Sequence, residues 1–195
     1  MTTVYLVRHA EPANPRQVHY GRLPRFRLSD AGRVQAEALG QRLSTIRADA
    51  IYSSPLLRAR QTAAALARYQ PGVRVAIRRG LIEVRNPVEG TPFTEVPLGT
   101  NLYEPPMPGI ESMAEQGARM RHTMEALVRA HPDGTVFAVS HGDPIAVLLL
   151  GYRGLPLTRE ALRQNDYPAL ASITRLIYAG GSPSICRLPP PSGPA

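Results

Sequence analysis

The sequence predicts an α/β fold with a mainly parallel central sheet. Short apolar segments rich in β-forming residues alternate along the chain with amphipathic segments of helical period. In addition, histidine and arginine follow directly after two of the predicted strands, where parallel sheets present ligand-binding side chains. With 195 residues, of which 43% are hydrophobic and 19% charged, the chain suits a single globular domain.

Each element is predicted from its own local pattern. Runs of β-forming apolar residues predict buried strands at 3–7, 50–53, 73–77, 135–139 and 172–178. Apolar spacing, with Ser29, Pro55 and Ser112 at or before the first turns, predicts helices at about 30–43, 56–68, 113–128 and 143–150. In the first of these helices, Val34 and Leu39 are predicted to share the buried face.

Two segments lack this periodicity. The segment 85–108 contains six prolines, and so long an irregular stretch in a compact domain is typical of an active-site lid or a specificity loop. Residues after 179 are rich in Gly, Pro and Ser, so we expect a loose C-terminal tail over 180–195. The single domain is therefore predicted over 1–179.

Composition argues against several classes of protein. The net charge is +8, and all 23 basic residues are arginines spread through the chain. Because the chain has no Trp and only three Phe to stack on bases, we expect no nucleic-acid partner. No apolar run approaches the roughly 18 residues of a membrane span and no signal-peptide pattern opens the sequence, so we expect no membrane partner and a cytoplasmic location. Cys186 is the single cysteine, which excludes an internal disulfide. Homo-oligomerisation is left open.

Residues suited to anion chemistry are predicted to meet at one edge of the sheet. Arg8 and His9 end the first strand, and Ser140-His141-Gly142 follows the fourth. Arg58 lies in the first turn of a helix, where free N–H groups and the helix dipole already favour anions. Together they indicate a pocket for a compact, highly charged oxyanion. The two histidines and Glu83 could instead hold a metal, but neighbouring guanidinium groups repel a dication and bind phosphate bidentately.

At these positions the sequence resembles the histidine phosphatase superfamily, also called phosphoglycerate mutase-like proteins. Residues 6–11, LVRHAE, resemble its RHG signature. The resemblance continues in order through Gly21-Arg22, YSSPLLRARQTA at 52–63, LIE at 81–83, the GxES-like residues at 109–112 and SHG at 140–142. Several motifs in the family's order are far more specific than one triplet.

The resemblance implies a three-layer α/β/α sandwich and a role for each matched residue. His9 would attack phosphorus to give a phosphohistidine, and Glu83 would protonate the leaving oxygen and then activate water. The phosphoryl oxygens would be bound by Arg8, Arg58 and His141. With these roles, the resemblance implies a histidine-phosphatase-like catalytic domain over 1–179, with 85–108 as an active-site lid or specificity loop. It also implies a small phosphorylated substrate and neither a metal nor another cofactor. Lesser substrate contacts are predicted for Asn14, Gly21, Arg22 and Gly142.

Simple electrostatics favours these roles. Adjacent arginines disfavour the imidazolium form of His9 and so lower its pKa, which keeps the attacking nitrogen unprotonated. The same arginines are expected to keep Glu83 ionised until bound phosphate raises its pKa. An acidic pH optimum follows as a hypothesis.

Departures from the family pattern leave alternatives open. Ala10 stands where a glycine usually follows the nucleophile, and Pro12 and Pro15 replace residues expected to contact phosphate. We favour a phosphatase; the alternatives are a phosphoglycerate-type phosphomutase, which shares the phosphohistidine, and a non-catalytic module that binds phosphorylated ligands. Arg22, Arg25, Tyr103 and the 85–108 segment are predicted to shape the choice of substrate.

Overall fold

The computed structural model describes residues 1–97, 99–104, 106–165 and 167–189, which form a six-stranded sheet. The strands lie in the order β3-β2-β4-β1-β5-β6, with bounds β1 (Thr2–Arg8), β2 (Ala50–Ser53), β3 (Val75–Ile77), β4 (Thr135–Ser140), β5 (Ile173–Tyr178) and β6 (Ser184–Arg187). The first four strands pair in parallel, whereas β5 and β6 extend the β1 edge in antiparallel pairs. The predicted α/β fold with a mainly parallel sheet is confirmed.

Helices cover both faces of this sheet. Their bounds are α1 (Asp30–Leu43), α2 (Leu57–Ala67), α3 (Met113–Ala130), α4 (Gly142–Tyr152) and α5 (Arg159–Gln164). The side chain of Ser29 caps α1 by accepting from the Gly32 N–H, and Ser112 forms a reciprocal capping box with Glu115 at the start of α3. These caps fix the starts of the helices where the sequence predicts them.

Alternation along β1 divides the core into two layers. Tyr5 and Val7 pack against α1 and α2, together with buried residues such as Leu39 and Leu66. Val4 and Leu6 point to the opposite face, where they join the methionine-rich side of α3 and the apolar helix α4. Because successive strand residues face opposite sides, one strand supplies both cores, as a three-layer sandwich requires.

The buried face of α1 differs from the prediction. Val34 is 59% exposed, and the buried stripe runs through Gly32, Ala36, Leu39, Gly40 and Leu43. A Cβ at position 32 would stand only 2.0 Å from the Glu11 carbonyl oxygen. Small residues therefore set this face, because they allow the helix to approach the chain after β1 closely, and the apolar Val34 is turned to solvent.

Strand β6 and helix α5 were missed by the sequence prediction. The expectation of a loose tail over 180–195 is wrong for Ser184–Arg187, which forms β6: Gly180 and Gly181 both adopt positive φ and reverse the chain onto β5. Helix α5 has only six residues, too few to show a helical period, and is recognisable by the Thr158 side chain that accepts from the Ala161 N–H. Among the helices described, none combines the length and apolar character needed to cross a membrane.

Candidate active site

Three neighbouring parallel strands bring the site together at their carboxyl ends. Arg8 pairs in register with Ser140, so that His9 and His141 follow β1 and β4 at the same level of the sheet. The backbone N–H of Ser54, just after β2, donates to the Val139 carbonyl at 2.9 Å. The sheet register thereby places residues more than 80 positions apart in one pit, as the sequence predicts.

His9 is fully buried, and its hydrogen bonds define its tautomer. Its Nδ1 lies 2.7 Å from the Ala10 carbonyl oxygen, which can only accept, so Nδ1 carries the ring proton. Nε2 is therefore unprotonated, and it accepts from the Arg58 Nε–H at 3.1 Å. Burial, and secondarily the Arg58 charge, hold the pKa of His9 well below its usual range. The ring thus presents a neutral nitrogen with a lone pair, the form a nucleophile requires.

Arg58 is held from two sides. It lies in the first turn of α2 and is completely buried. Its Nη2 donates to the Gly21 carbonyl at 2.7 Å, and its guanidinium carbon lies 4.7 Å from the ring centroid of Tyr20. Because the carbonyl and the ring fix the guanidinium plane, its remaining nitrogen Nη1 has a defined direction.

His141 faces His9 across the pit, with ring centroids 5.0 Å apart. Its Nε2 lies 2.6 Å from Ser54 Oγ, which already accepts from the Leu56 N–H and keeps its own proton to donate. We therefore assign the His141 ring proton to Nδ1, the atom 3.8 Å from Glu83 Oε2. Burial and the Arg58 charge lower the pKa of His141, which favours a neutral ring with its N–H at Nδ1.

Glu83 follows the short 3₁₀ turn Arg79–Leu81, and its side chain is 13% exposed. One carboxyl oxygen accepts from the Val84 N–H at 2.9 Å. Burial, and then the nearby Asp143 charge, raise the pKa of Glu83 to about 7 against the opposing effect of Arg58. The expectation that the arginines keep Glu83 ionised before substrate binds is wrong, because desolvation and the second carboxylate outweigh them.

Three buried donor atoms in this pit have no hydrogen-bond partner within the part of the chain that the structure describes. They are Arg8 Nε, Arg58 Nη1 and His141 Nδ1. Another nitrogen of Arg8 is anchored on the Pro168 carbonyl at 2.6 Å. Leaving buried donors unpaired costs about 1–3 kcal/mol each, so their clustering indicates a ligand with several acceptor oxygens.

The same residues could be read as metal ligands, since ligand atoms of His9, Glu83 and His141 lie within 4.8 Å of one another. However, the Arg58 guanidinium lies 3.1 Å from His9 Nε2, so a metal bound at that nitrogen would stand directly beside a positive charge. The arginines at 8 and 58 add two permanent positive charges. This donor set therefore favours an oxyanion over a dication.

The four residues predicted to make lesser substrate contacts play different parts in the structure. Gly21 anchors Arg58 through its carbonyl. Gly142 begins α4, where a Cβ would stand 2.2 Å from the Tyr167 hydroxyl, so only glycine lets that ring approach. The Asn14 side chain closes its own loop through both backbone groups of Val18. Arg22 is held in an ion pair with Glu111 at 2.7 Å, and its contact with substrate stays a prediction.

Sequence reasoning missed Asp143 and Tyr167, whose side chains lie near Glu83. Asp143, in the first turn of α4, accepts from the Tyr103 hydroxyl at 2.8 Å and from the Tyr167 hydroxyl at 2.5 Å. Its place directly after Ser140-His141-Gly142 was a usable signal, because an acid beside a predicted anion site is unexpected. Tyr167 carries no such signal, since nothing in the local pattern shows that it folds back over Arg8, 5.3 Å from its ring centroid.

A cavity of about 490 Å³ opens in front of the pit. Arg8, Glu83 and Asp143 are among the residues that line it. The walls include residues of the 85–108 segment, namely Asn86, Phe93, Gly99, Thr100, Leu102 and Tyr103. This segment therefore borders the space in which a leaving group would lie.

Unpartnered buried donors beside a neutral histidine, at the carboxyl end of a parallel sheet, are the arrangement that the sequence predicts for a histidine phosphatase. The sequence matches the histidine phosphatase superfamily (branch 1) over residues 4–189, and the chain belongs to this family. The proteins similar to this chain include phosphatases and a probable phosphoglycerate mutase.

Individual relatives share most of their length with the chain. An uncharacterized protein of Mycobacterium tuberculosis is 34% identical over 187 residues, covering 92% of this chain and 91% of its own. Phosphoserine phosphatase 1 of Hydrogenobacter thermophilus is 30% identical, over 82% of this chain and 80% of its own. Among solved structures, Bacillus stearothermophilus YhfR superposes with a TM-score of 0.87 at 25% identity, over 96% of both chains.

Proposed function

We propose that the chain is a metal-independent phosphatase that hydrolyses a small phosphate monoester through a phosphohistidine on His9. One observation carries the proposal. The unprotonated Nε2 of His9 lies in a buried pit with three donors that have no partner in the described part of the chain, and Glu83 stands opposite it with a pKa of about 7. Nucleophile, oxyanion donors and proton source are therefore present together.

In the first half-reaction, His9 Nε2 attacks phosphorus and the bond from phosphorus to the ester oxygen breaks. Arg8, Arg58 and His141 donate to the phosphoryl oxygens as charge spreads over them. Glu83, neutral below about pH 7, transfers its proton to the departing oxygen. The products are the alcohol, the N-phosphorylated His9 and an ionised Glu83.

In the second half-reaction, the Glu83 carboxylate takes a proton from water as the water oxygen attacks phosphorus. The bond between phosphorus and His9 Nε2 breaks, which returns the neutral imidazole and a protonated Glu83. The Ala10 carbonyl keeps the proton on Nδ1 throughout, so the ring never needs to change its tautomer.

A chromogenic phosphate ester tests the proposal directly. Wild-type protein is incubated with p-nitrophenyl phosphate and excess chelator, beside His9→Ala and a control, His122→Ala, which removes an exposed histidine of α3. We expect turnover in the wild type and the control, and none in His9→Ala, with all three folded by circular dichroism. Isomerisation of phosphoglycerate without release of phosphate would instead identify a mutase, and no chemistry at all would identify a binding module.

A further inference from the structure

The wall of the cavity formed by α5 carries two arginines one helical turn apart. Arg159 and Arg163 both line the cavity that contains Glu83 and Arg8. Both approach Gly99 of the 85–108 segment. A Cβ on Gly99 would lie 2.7 Å from Arg163 Nη2 and 3.4 Å from Arg159 Nη2. The two guanidinium ends thus lie close together in the cavity wall.

The two arginines share the cavity with the carboxylates of Glu83 and Asp143 but form no ion pair with either. Within the described ranges, neither arginine forms a salt bridge with a carboxylate; Arg163 donates to the Gly99 carbonyl at 3.0 Å. Nη2 of Arg159 is buried and has no hydrogen-bond partner among the described residues. Arg159 is half-buried and Arg163 is exposed. Two like charges held close together repel, and an anion between them removes both the repulsion and the unpaired donor of Arg159.

The remaining lining of the cavity is mostly apolar. Val84, Phe93, Leu102, Ile110 and Leu162 contribute apolar side chains, and Tyr20 contributes an aromatic ring. A volume of about 490 Å³ is much larger than a phosphate group needs. The space therefore suits a leaving group with an apolar body.

We propose that Arg159 and Arg163 form a second oxyanion subsite, so that the substrate is a phosphate monoester whose apolar body carries a second oxyanion, a carboxylate or a phosphate. The inference rests on the proposed function and specifies its substrate class. The phosphoryl group lies in the pit at His9, the apolar body against the cavity wall, and the second anion at the α5 arginines. Guanidinium groups bind either oxyanion in bidentate fashion.

A purely structural role is the alternative. Arg163 already holds the 85–108 segment through Gly99, and a pair of arginines that does only this would affect all substrates alike. The subsite instead discriminates between substrates of equal shape that differ in charge. Measurement of that discrimination separates the two roles.

The test compares three aryl phosphates that differ at one remote group. 4-(2-carboxyethyl)phenyl phosphate, its phosphonoethyl counterpart and its neutral carboxamide share one phenol, and the ethylene spacer insulates the ester oxygen from the remote charge. kcat/KM is measured for wild type, Arg159→Gln and Arg163→Gln. The control is Arg153→Gln, which makes the same charge change at an exposed position outside the cavity.

We expect wild type and Arg153→Gln to prefer at least one oxyanion over the carboxamide by about 10- to 100-fold. In Arg159→Gln this preference should fall to less than about threefold, with a smaller fall in Arg163→Gln. Which oxyanion gains more decides between carboxylate and phosphate. Turnover of all three esters by wild type without any preference would overturn the subsite but leave the phosphatase intact. Turnover of none would overturn the phosphatase itself.

Discussion

Nε of Arg58 donates to Nε2 of His9 across 3.1 Å, so the nitrogen that would attack phosphorus rests on a guanidinium that would bind the phosphoryl group. One guanidinium plane would therefore contact both the nucleophile and the phosphoryl group. After burial, the same guanidinium is the second cause of the lowered pKa of the imidazole, and it also aims the ring. Its Nη1 has no hydrogen-bond partner among the residues that the structure describes, so it is available to an oxygen of the substrate. Replacement of Arg58 should therefore affect chemistry more than binding.

Arg58→Lys keeps the positive charge but loses the fork of nitrogens. We expect kcat to fall by about 100- to 1,000-fold, the usual cost of losing one preorganised donor to a transition-state oxyanion. Arg60→Lys is the matched control, since Arg60 is exposed on the same helix and should stay within about twofold of wild type. Equal losses in the two variants would remove Arg58 from the mechanism.

Glu83→Gln should reveal the proton donor through its dependence on the leaving group. For an alkyl phosphate, whose alkoxide needs a proton as it departs, we expect kcat/KM to fall by about 100- to 10,000-fold. For p-nitrophenyl phosphate, whose phenolate leaves without help, the loss of phosphorylation rate should be far smaller. Burst kinetics isolates this step from hydrolysis of the phosphoenzyme. An identical loss with both esters contradicts the role of Glu83 as acid.

The raised pKa of Glu83 sets the direction of the pH profile. The acid must be protonated in the free enzyme, so kcat/KM should decline by about tenfold per pH unit above its pKa of about 7. On the acid side, His9 stays neutral through the usual imidazole range because its pKa is lowered. Activity should therefore be highest in mildly acidic solution. A flat profile between about pH 5 and 8 would count against this assignment.

Asp143→Asn tests the origin of that pKa. The Asp143 charge is the second cause of the raised value, after burial, so its removal should move the alkaline limb to lower pH. The amide oxygen can still accept from a tyrosine hydroxyl, which preserves part of the local structure. Glu95→Gln, at an exposed acid of the 85–108 segment, should leave the limb in place.

Stability depends on a different group, the carboxylate of Glu111. It accepts from Arg22 at 2.7 Å and from two nitrogens of Arg119 at 2.7 and 2.9 Å, with a side chain only 12% exposed. Glu111→Ala leaves both arginines without their carboxylate, and we expect the free energy of unfolding in urea to fall by about 3 kcal/mol. The exposed pair of Glu125 and Arg129, 3.9 Å apart, provides the control: Glu125→Ala should cost below about 0.5 kcal/mol.

Much of this architecture was predictable because its causes are local. Strand periodicity placed Arg8, His9 and His141 at strand ends, and parallel pairing then required those ends to meet. The acidity of Glu83 was not predictable, because it depends on burial by distant chain and on Asp143. Helix α5, with its two cavity arginines, was missed because six residues are too short to reveal a period. Residues brought in by tertiary folding leave little trace in a local pattern.

The most direct test of the mechanism is capture of the phosphoenzyme. Wild-type protein, and Glu83→Gln to slow its hydrolysis, are mixed rapidly with a good phosphate ester, quenched in alkali and digested for mass spectrometry. We predict one phosphoryl group on His9 Nε2, stable to alkali and lost in acid. A phosphorylated residue other than His9, or steady turnover with an unmodified ring throughout the burst phase, would contradict the account.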